Sequence, residues 1–406
     1  MPAEAKALTE KRGFDVVIVG GGVIGLACAW RLAQRGADVV VVERGEPGIG
    51  ATRVAAGMLA PVGELTFGEP ELLELTLAAA RLYPEFVAEL EAATGASTGY
   101  ERLGALHVAL DRDEAAQLRR VHDLQRSLEL EAEWLAPRRC RDLEPGLTPS
   151  FHGGVFAAGE AAIDPRALMR ALLAACEAEG VEVRSGVGVV DGIFEGERIV
   201  GVQTARRGGG KTHGGGGRGH GEEIGAETVL LAAGAWSGGM AWLPEEARPP
   251  VRPVKGQVVE LRSRNEEPVA RHILASERVY LVPRPDGRLV VGATVEEMGF
   301  DTVVTAGGVH ELLREAYRLL PDVAEMELLG ATAGLRPGTP NNLPLIGPGA
   351  IDGLVLVTGH FRNGILLAPL TARAVADLLS GDRRSSFPRN RPGKDERAVT
   401  GVRQTS

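Results

Sequence analysis

FDVVIVGGGVIGLACAWRLAQRGADVVVVE, residues 14–43, decides the fold. It opens on an apolar run, Phe14 to Val19, of the kind that forms a strand buried on both faces. Gly20, Gly22 and Gly25 follow at the G-x-G-x-x-G spacing. Ile24 to Arg35 reads as a helix stopped by Gly36, and Ala37 to Val42 as a second buried strand. Such a unit sets its two strands parallel with a right-handed crossover. The first glycine permits the tight turn, the second lets a pyrophosphate approach the backbone, and the third lets helix and strand pack closely. Glu43 closes the second strand about 20 residues on, where a carboxylate accepts from ribose hydroxyls and disfavours a 2′-phosphate. The segment predicts a dinucleotide site without saying which dinucleotide.

Outward from this unit the periodicity changes repeatedly. Residues 70–94, 113–130, 165–180 and 309–320 read as helices, the third with Asp164 as N-cap and Pro165 in its first turn. Strands are expected at 103–110, 181–184, 188–193 and 228–232, and antiparallel ones at 257–261, 279–283 and 288–293. Parallel β-α pieces sit at 14–60, 150–235 and 340–380, which predicts one discontinuous nucleotide domain. The remainder, 61–149 and 236–339, is expected to form a substrate domain around an antiparallel sheet. The Gly-rich tract 208–221 reads as a mobile surface loop, since no strand-to-helix context makes it a phosphate loop. Residues 381–406, polar and basic, read as a disordered tail.

Composition narrows the classes. The chain has 406 residues, 44% hydrophobic and 24% charged, with a net charge of −9, so no global basic field favours nucleic acid or an anionic membrane. Cys28, Cys140 and Cys176 form no Cys-x-x-Cys pair, and the eight histidines show no metal-ligand spacing, so neither a zinc site nor a disulfide framework is expected. Residues 1–12 are polar and lack the apolar segment of a signal peptide, which with the cysteine usage predicts a cytoplasmic protein.

A second anion site is written near residue 360. Gly353 to Thr358 reads as a buried strand, GHFRNGI (359–365) as a turn, and Leu366 to Leu379 as a helix. Free N–H groups and the positive end of a helix dipole meet there, as they do after Gly22. Two such sites in one chain suit one large cofactor gripped at two places.

Residues 51–58 (ATRVAAGM), 334–339 (GLRPGT) and 359–370 (GHFRNGILLAPL), with the glycine fingerprint, resemble the D-amino-acid oxidase superfamily of FAD enzymes, most closely its bacterial glycine-oxidase branch of thiamine biosynthesis. The resemblance spans roughly residues 14–380 and implies an α/β fold: a Rossmann-like FAD domain with a discontinuous antiparallel-sheet substrate domain. It implies non-covalent FAD. Val23, Ile24, Glu43 and Arg44 would serve the adenosine and pyrophosphate end, with Val189 at the adenine. Ala51, Thr52, Ala56, Gly57 and Met58 would line the path to the flavin, and His360, Phe361, Arg362, Asn363, Gly364, Ile365 and Leu366 would wrap the flavin ring. Arg336 and Tyr280 would bind a substrate carboxylate, Arg362 would stand near the amine, and Met58 would form an apolar wall. No residue is an obligatory general base, and hydride passes to flavin N5.

The implied reaction is oxidative deamination of glycine, sarcosine or small D-amino acids with O2, giving imine or glyoxylate, ammonia and peroxide. A homo-oligomer, dimer or tetramer, and a functional link to thiazole synthase are also implied. A D-amino-acid dehydrogenase with another acceptor and a sarcosine-type oxidase are the alternatives. Two positions depart from the glycine-oxidase pattern: Val295 stands where it has Met, and Arg278 where it can have His. Trp236 is expected to pack near the flavin without taking part in the chemistry.

Overall fold

The computed structural model describes residues 13–206 and 221–381. The expected Gly-rich loop (bar Gly221), the basic tail (bar Gly381) and residues 1–12 lie outside the described residues. Two eight-stranded sheets organise the chain. In the first, strands Leu354–Thr358, Glu223–Leu231, Phe14–Val19, Val39–Glu43 and Glu182–Ser185 run parallel in that order. Leu345–Pro348 closes one edge antiparallel. Val17 pairs with Val40 on one side and Val229 on the other, and Ile18 with Val41 and Leu230. Phe14–Val19, Val39–Glu43 and Leu354–Thr358 are near-continuous apolar runs because both sheet faces are covered there, whereas Glu182–Ser185 at the edge is partly exposed. Val187–Glu195 and Arg198–Arg206 form an antiparallel hairpin joined to Glu223–Leu231, so the short strand expected at 188–193 is one arm of a longer ribbon.

Helices Val23–Ala33, Pro165–Ala178 and Gly364–Leu379 cover one face of this sheet. Helix Pro70–Thr94, expected in the substrate domain, joins them. Its stripe of Ala79, Tyr83, Phe86 and Leu90 is buried in the same core, where Phe86 meets Trp30 edge-on at 5.7 Å between ring centres. The Tyr83 hydroxyl donates to the Ile365 carbonyl at 3.2 Å, giving a buried polar group its partner.

The second sheet runs Glu327–Gly338, Arg252–Arg262, Arg288–Gly292, Tyr280–Pro283, Ile273–Ala275, Ala105–Val108, Gly154–Ala157, Glu133–Leu135. Every pairing is antiparallel except Ile273–Ala275 with Ala105–Val108. Gly154–Ala157 was expected with the nucleotide domain; it pairs here because Ala105–Val108 offers an antiparallel edge in register. Helix Ala306–Leu319 closes one face through Leu312, Ala316 and Leu319. Arg336 lies within the strand Glu327–Gly338, opposite Val254. An apolar cluster of Ala56, Val258, Val282 and Val290, with Met58 and Tyr280 packed on it, links the two halves beside the site. No helix among the described residues is long and apolar enough to cross a membrane.

Candidate active site

One cavity of about 1020 Å³ extends from the glycine turn of the first sheet to the inner face of the second. Gly20, Gly22, Val23, Ile24, Glu43, Arg44 and Val189 line its first end. Ala51, Thr52, Ala56, Gly57 and Met58 line its middle, and Tyr280, Arg336, His360, Phe361, Arg362, Gly364 and Ile365 its second end. Nineteen of the residues expected from sequence therefore share one space.

Three do not line it. Gly25 faces the strand, where an added Cβ would lie 2.0 Å from the Gly20 carbonyl oxygen, so its role is close packing. The Leu366 side chain is buried in the helix core, and Asn363 is buried beside a small adjoining pocket.

The two helix starts are built for an acceptor-rich ligand. Neither Gly22 nor Asn363, the N-cap residues, gives a side-chain cap to its helix. Of the first helix, Val23 N–H donates to Thr52 Oγ1 at 3.2 Å. The Glu43 carboxylate accepts from the N–H groups of Gly21 and Gly45, both at 2.9 Å, which fixes it at the end of its strand. His360 serves the turn by packing: its buried Nε2 pairs with Thr371 Oγ1 at 3.0 Å, and burial lowers its pKa to about 3, so the ring is neutral. Trp236, singled out for packing, forms the cavity wall with the Arg44 guanidinium 3.8 Å over its ring and Phe300 stacked at 5.9 Å.

At the second end the groups are donors. Arg336 Nη1 donates to the carbonyls of Thr294 at 3.1 Å and Lys255 at 3.4 Å, which aims its fork. Its guanidinium lies directly over Gly256, where an added Cβ would sit 2.2 Å from Nη1. Tyr280 lies over Gly292 in the same way, with its hydroxyl 2.4 Å from a Cβ built there. Burial pushes the Tyr280 phenol up to about 12, against the pull of Arg336, so it is a neutral donor. Arg362 Nη2 donates to Thr66 Oγ1 at 2.8 Å and reaches Glu69 at 3.4 Å, tying the turn to the 60–69 loop.

Sequence reasoning missed Gly256, Gly292 and Glu64. The two glycines sit in ordinary strands with no motif around them. Glu64 lies in an unpatterned loop, and only the fold brings it to Arg336 and Arg362. Val295 and Arg278, the two departures, both lie exposed at the cavity mouth.

The arrangement is a two-sheet fold around one elongated cavity, with a glycine turn at one end and an arginine and a tyrosine at the other. Residues 15–378 match the model of the family described as FAD dependent oxidoreductase (DAO), and the chain belongs to that family. The bifunctional protein ThiO/ThiG of Trichormus variabilis is 38% identical over 369 residues, 90% of this chain and 52% of its own length. The chain thus spans about half the length of that relative. Glycine oxidase of Bacillus subtilis is 30% identical, covering 91% of this chain and 94% of its own. The crystal structure of glycine oxidase from Geobacillus kaustophilus superposes with a TM-score of 0.81 at 33% identity, over 91% of this chain and 95% of that one.

FAD is the cofactor of this family, and the residues here suit it. Two helix starts whose N-cap residues give no side-chain cap, and a strand-end carboxylate, open on one elongated cavity. The Gly22 turn would hold the pyrophosphate, and the Gly364 and Ile365 N–H groups would face the electron-rich edge of the flavin.

Proposed function

We propose that this flavin enzyme is an amino-acid oxidase of the glycine-oxidase type. It deaminates glycine, sarcosine or small D-amino acids to glyoxylate or the matching α-keto acid, with ammonia or the parent amine, and peroxide. The observation that carries this reading is the pair Arg336 and Tyr280, held over Gly256 and Gly292 at the end of the cofactor cavity.

Bound FAD supplies a two-electron acceptor of hydride. The chain supplies position. The Arg336 fork and the Tyr280 hydroxyl bind the substrate carboxylate, the fork through two parallel charge-assisted hydrogen bonds. Fixing the carboxylate turns Cα toward the cofactor end of the cavity and lowers the entropic part of the barrier. Met58 gives this space an apolar side, and the Arg362 tether holds the 60–69 loop against it. Water completes the reaction by hydrolysing the imine.

The relative named ThiO/ThiG supports a functional link to a thiazole-forming partner, with the imine or glyoxylate as the shared compound. A cytoplasmic homo-oligomer is part of this reading. A second reading follows from Arg278 at the mouth: a distal acid on the substrate nitrogen would meet a cation there. The crystal structure of an iminodiacetate oxidase from Chelativorans sp. BNC1, 26% identical with a TM-score of 0.79, supports it.

The test is a spectrum and a peroxide assay on purified holoenzyme with glycine, sarcosine, D-alanine, D-proline and iminodiacetate. Glycine should bleach the flavin anaerobically, and air should restore it with one peroxide per turnover. Slow reoxidation without peroxide would make the chain a dehydrogenase. Preference for iminodiacetate, lost in Arg278→Ala, would favour the second reading.

A further inference from the structure

Substrate zwitterions bring an ammonium as well as a carboxylate, and the groups named so far do not receive it. Arg336 and Arg362 are cations that only donate, and the Tyr280 hydroxyl, which can also accept, carries no charge to balance an ammonium. Among described residues lining the cavity, three are acids: Glu43, Glu64 and Glu277. Glu43 is engaged by Gly21 and Gly45 at the far end, and Glu277 is exposed at the mouth. Glu64 alone faces both Arg336 and Arg362.

We propose that Glu64 receives the substrate ammonium and takes one proton from it, so that the amine is neutral when the Cα–H bond breaks. This rests on the amino-acid oxidase reading above. In the step an N–H bond of the ammonium breaks and an O–H bond forms on the Glu64 carboxylate. No electrons change hands, and the proton passes to water as product leaves. A neutral nitrogen has the lone pair that the developing C=N bond requires.

The surroundings suit this task. Burial raises the Glu64 pKa, with Arg362 and Arg336 opposing the rise, so the carboxylate accepts a proton more readily than one in water. Its segment is rigidly held. Glu160, 1% exposed, accepts from the Val62 and Gly63 N–H groups at 2.8 and 3.0 Å, and Gln125 donates to the Val62 carbonyl at 2.9 Å. The Glu64 N–H donates to the Ala60 carbonyl at 3.0 Å. His107 closes the space behind Gly63, where a Cβ would lie 2.3 Å from its Nε2. Glu160 and His107 are therefore positioning residues. With Arg336, Arg362, Tyr280 and Glu69, which pairs with Arg362, they are the titratable and charged groups around Glu64 among the described residues.

The test uses wild-type holoenzyme, Glu64→Gln and Glu64→Asp. It measures kcat/KM for glycine from pH 6 to 10, and inhibition by glycolate, which keeps the carboxylate and replaces the ammonium with a hydroxyl. In Glu64→Gln, kcat/KM at pH 7 should fall about 10²-fold. Its rising limb should move up toward the pKa of free glycine ammonium, glycolate should bind as well as before or better, and Glu64→Asp should recover part of the loss. An unchanged kcat/KM and limb in Glu64→Gln would overturn the proposal. So would a parallel loss of glycolate binding, which would make Glu64 a prop for Arg336. If wild-type flavin is bleached by none of the amino acids, the oxidase reading fails and takes this inference with it. Bleaching by wild type with an unaltered Glu64→Gln refutes the inference alone.

Discussion

Gly256→Ala separates folding from substrate binding more sharply than any change to a charged residue. Gly256 lies within the strand Arg252–Arg262, and its backbone is one that alanine accepts. Alanine in a strand interior is favoured over glycine by about 0.5–1 kcal/mol. The added Cβ, however, would stand 2.2 Å from Arg336 Nη1 and 2.4 Å from Cζ and Nη2, where contacts under about 3 Å do not survive. The clash is with the far end of a flexible side chain, so the fork moves and the strand stays. Moving it by about 1 Å breaks its aim on the Thr294 and Lys255 carbonyls and misplaces the carboxylate. A charge-assisted hydrogen bond is worth about 1.5–3 kcal/mol, and 1.4 kcal/mol is tenfold, so KM for glycine should rise roughly 10- to 100-fold. Steady-state kinetics, FAD titration and thermal melting on the same samples check this. Melting temperature and FAD affinity should hold while KM rises. Arg336→Ala should lose as much, and the double variant should lose no more than Arg336→Ala alone, because the clash has then no target. A KM within about twofold of wild type, or additive losses in the double variant, would refute the reasoning.

Three further changes test other parts of the site. Tyr280→Phe removes one hydrogen bond of about 1 kcal/mol, so KM should rise about fivefold with FAD affinity unaltered in flavin-fluorescence titration. Gly25→Ala drives a Cβ to 2.0 Å from the Gly20 carbonyl oxygen, a backbone contact that cannot rotate away. It should cost about 1–3 kcal/mol or more and lower both melting temperature and FAD retention on gel filtration. His360 is held neutral with a pKa of about 3, so between its unfolded value and 3 the unfolded chain binds the extra proton. Its contribution to stability therefore falls as pH drops below about 6.5. Urea midpoints at pH 7 and pH 5 should converge in His360→Gln relative to wild type, and an equal drop in both proteins would exclude His360 as the cause.

The nucleotide end was legible because its signals are local. Val16 to Val19, the spaced glycines and Glu43 are neighbours in sequence and each has a single physical use. The same holds for 359–365, where strand, turn and helix follow one another. The helix at 70–94 was legible as a helix but not in its placement, since an apolar stripe states that a face is buried and not against what. The strand Gly154–Ala157 failed for a related reason: its pairing with Ala105–Val108, 46 or more residues away, is set by the sheet edge that is open to it. Gly256 and Gly292 were invisible because their meaning lies in the side chains above them. Glu64 was invisible because a lone acid in a loop has no pattern, and its role depends on two arginines about 270 and 300 residues away.

The strand order of the first sheet bears on how the protein is made. Leu354–Thr358 pairs directly with Glu223–Leu231, and helix Gly364–Leu379 packs against Val23–Ala33, the first helix of the chain. During synthesis the glycine turn emerges early with one side of its sheet unpaired. The pocket that grips the flavin ring closes only after residue 379 has cleared the ribosome. Flavin capture is therefore a late event in the life of the chain, and it reports that synthesis has run to the end of the fold. A chain stopped near residue 350 would leave the Val229–Leu231 edge unpaired and strip helix Gly364–Leu379 from the core it shares with Val23–Ala33, and so would be prone to aggregate rather than persist as a partial flavoprotein.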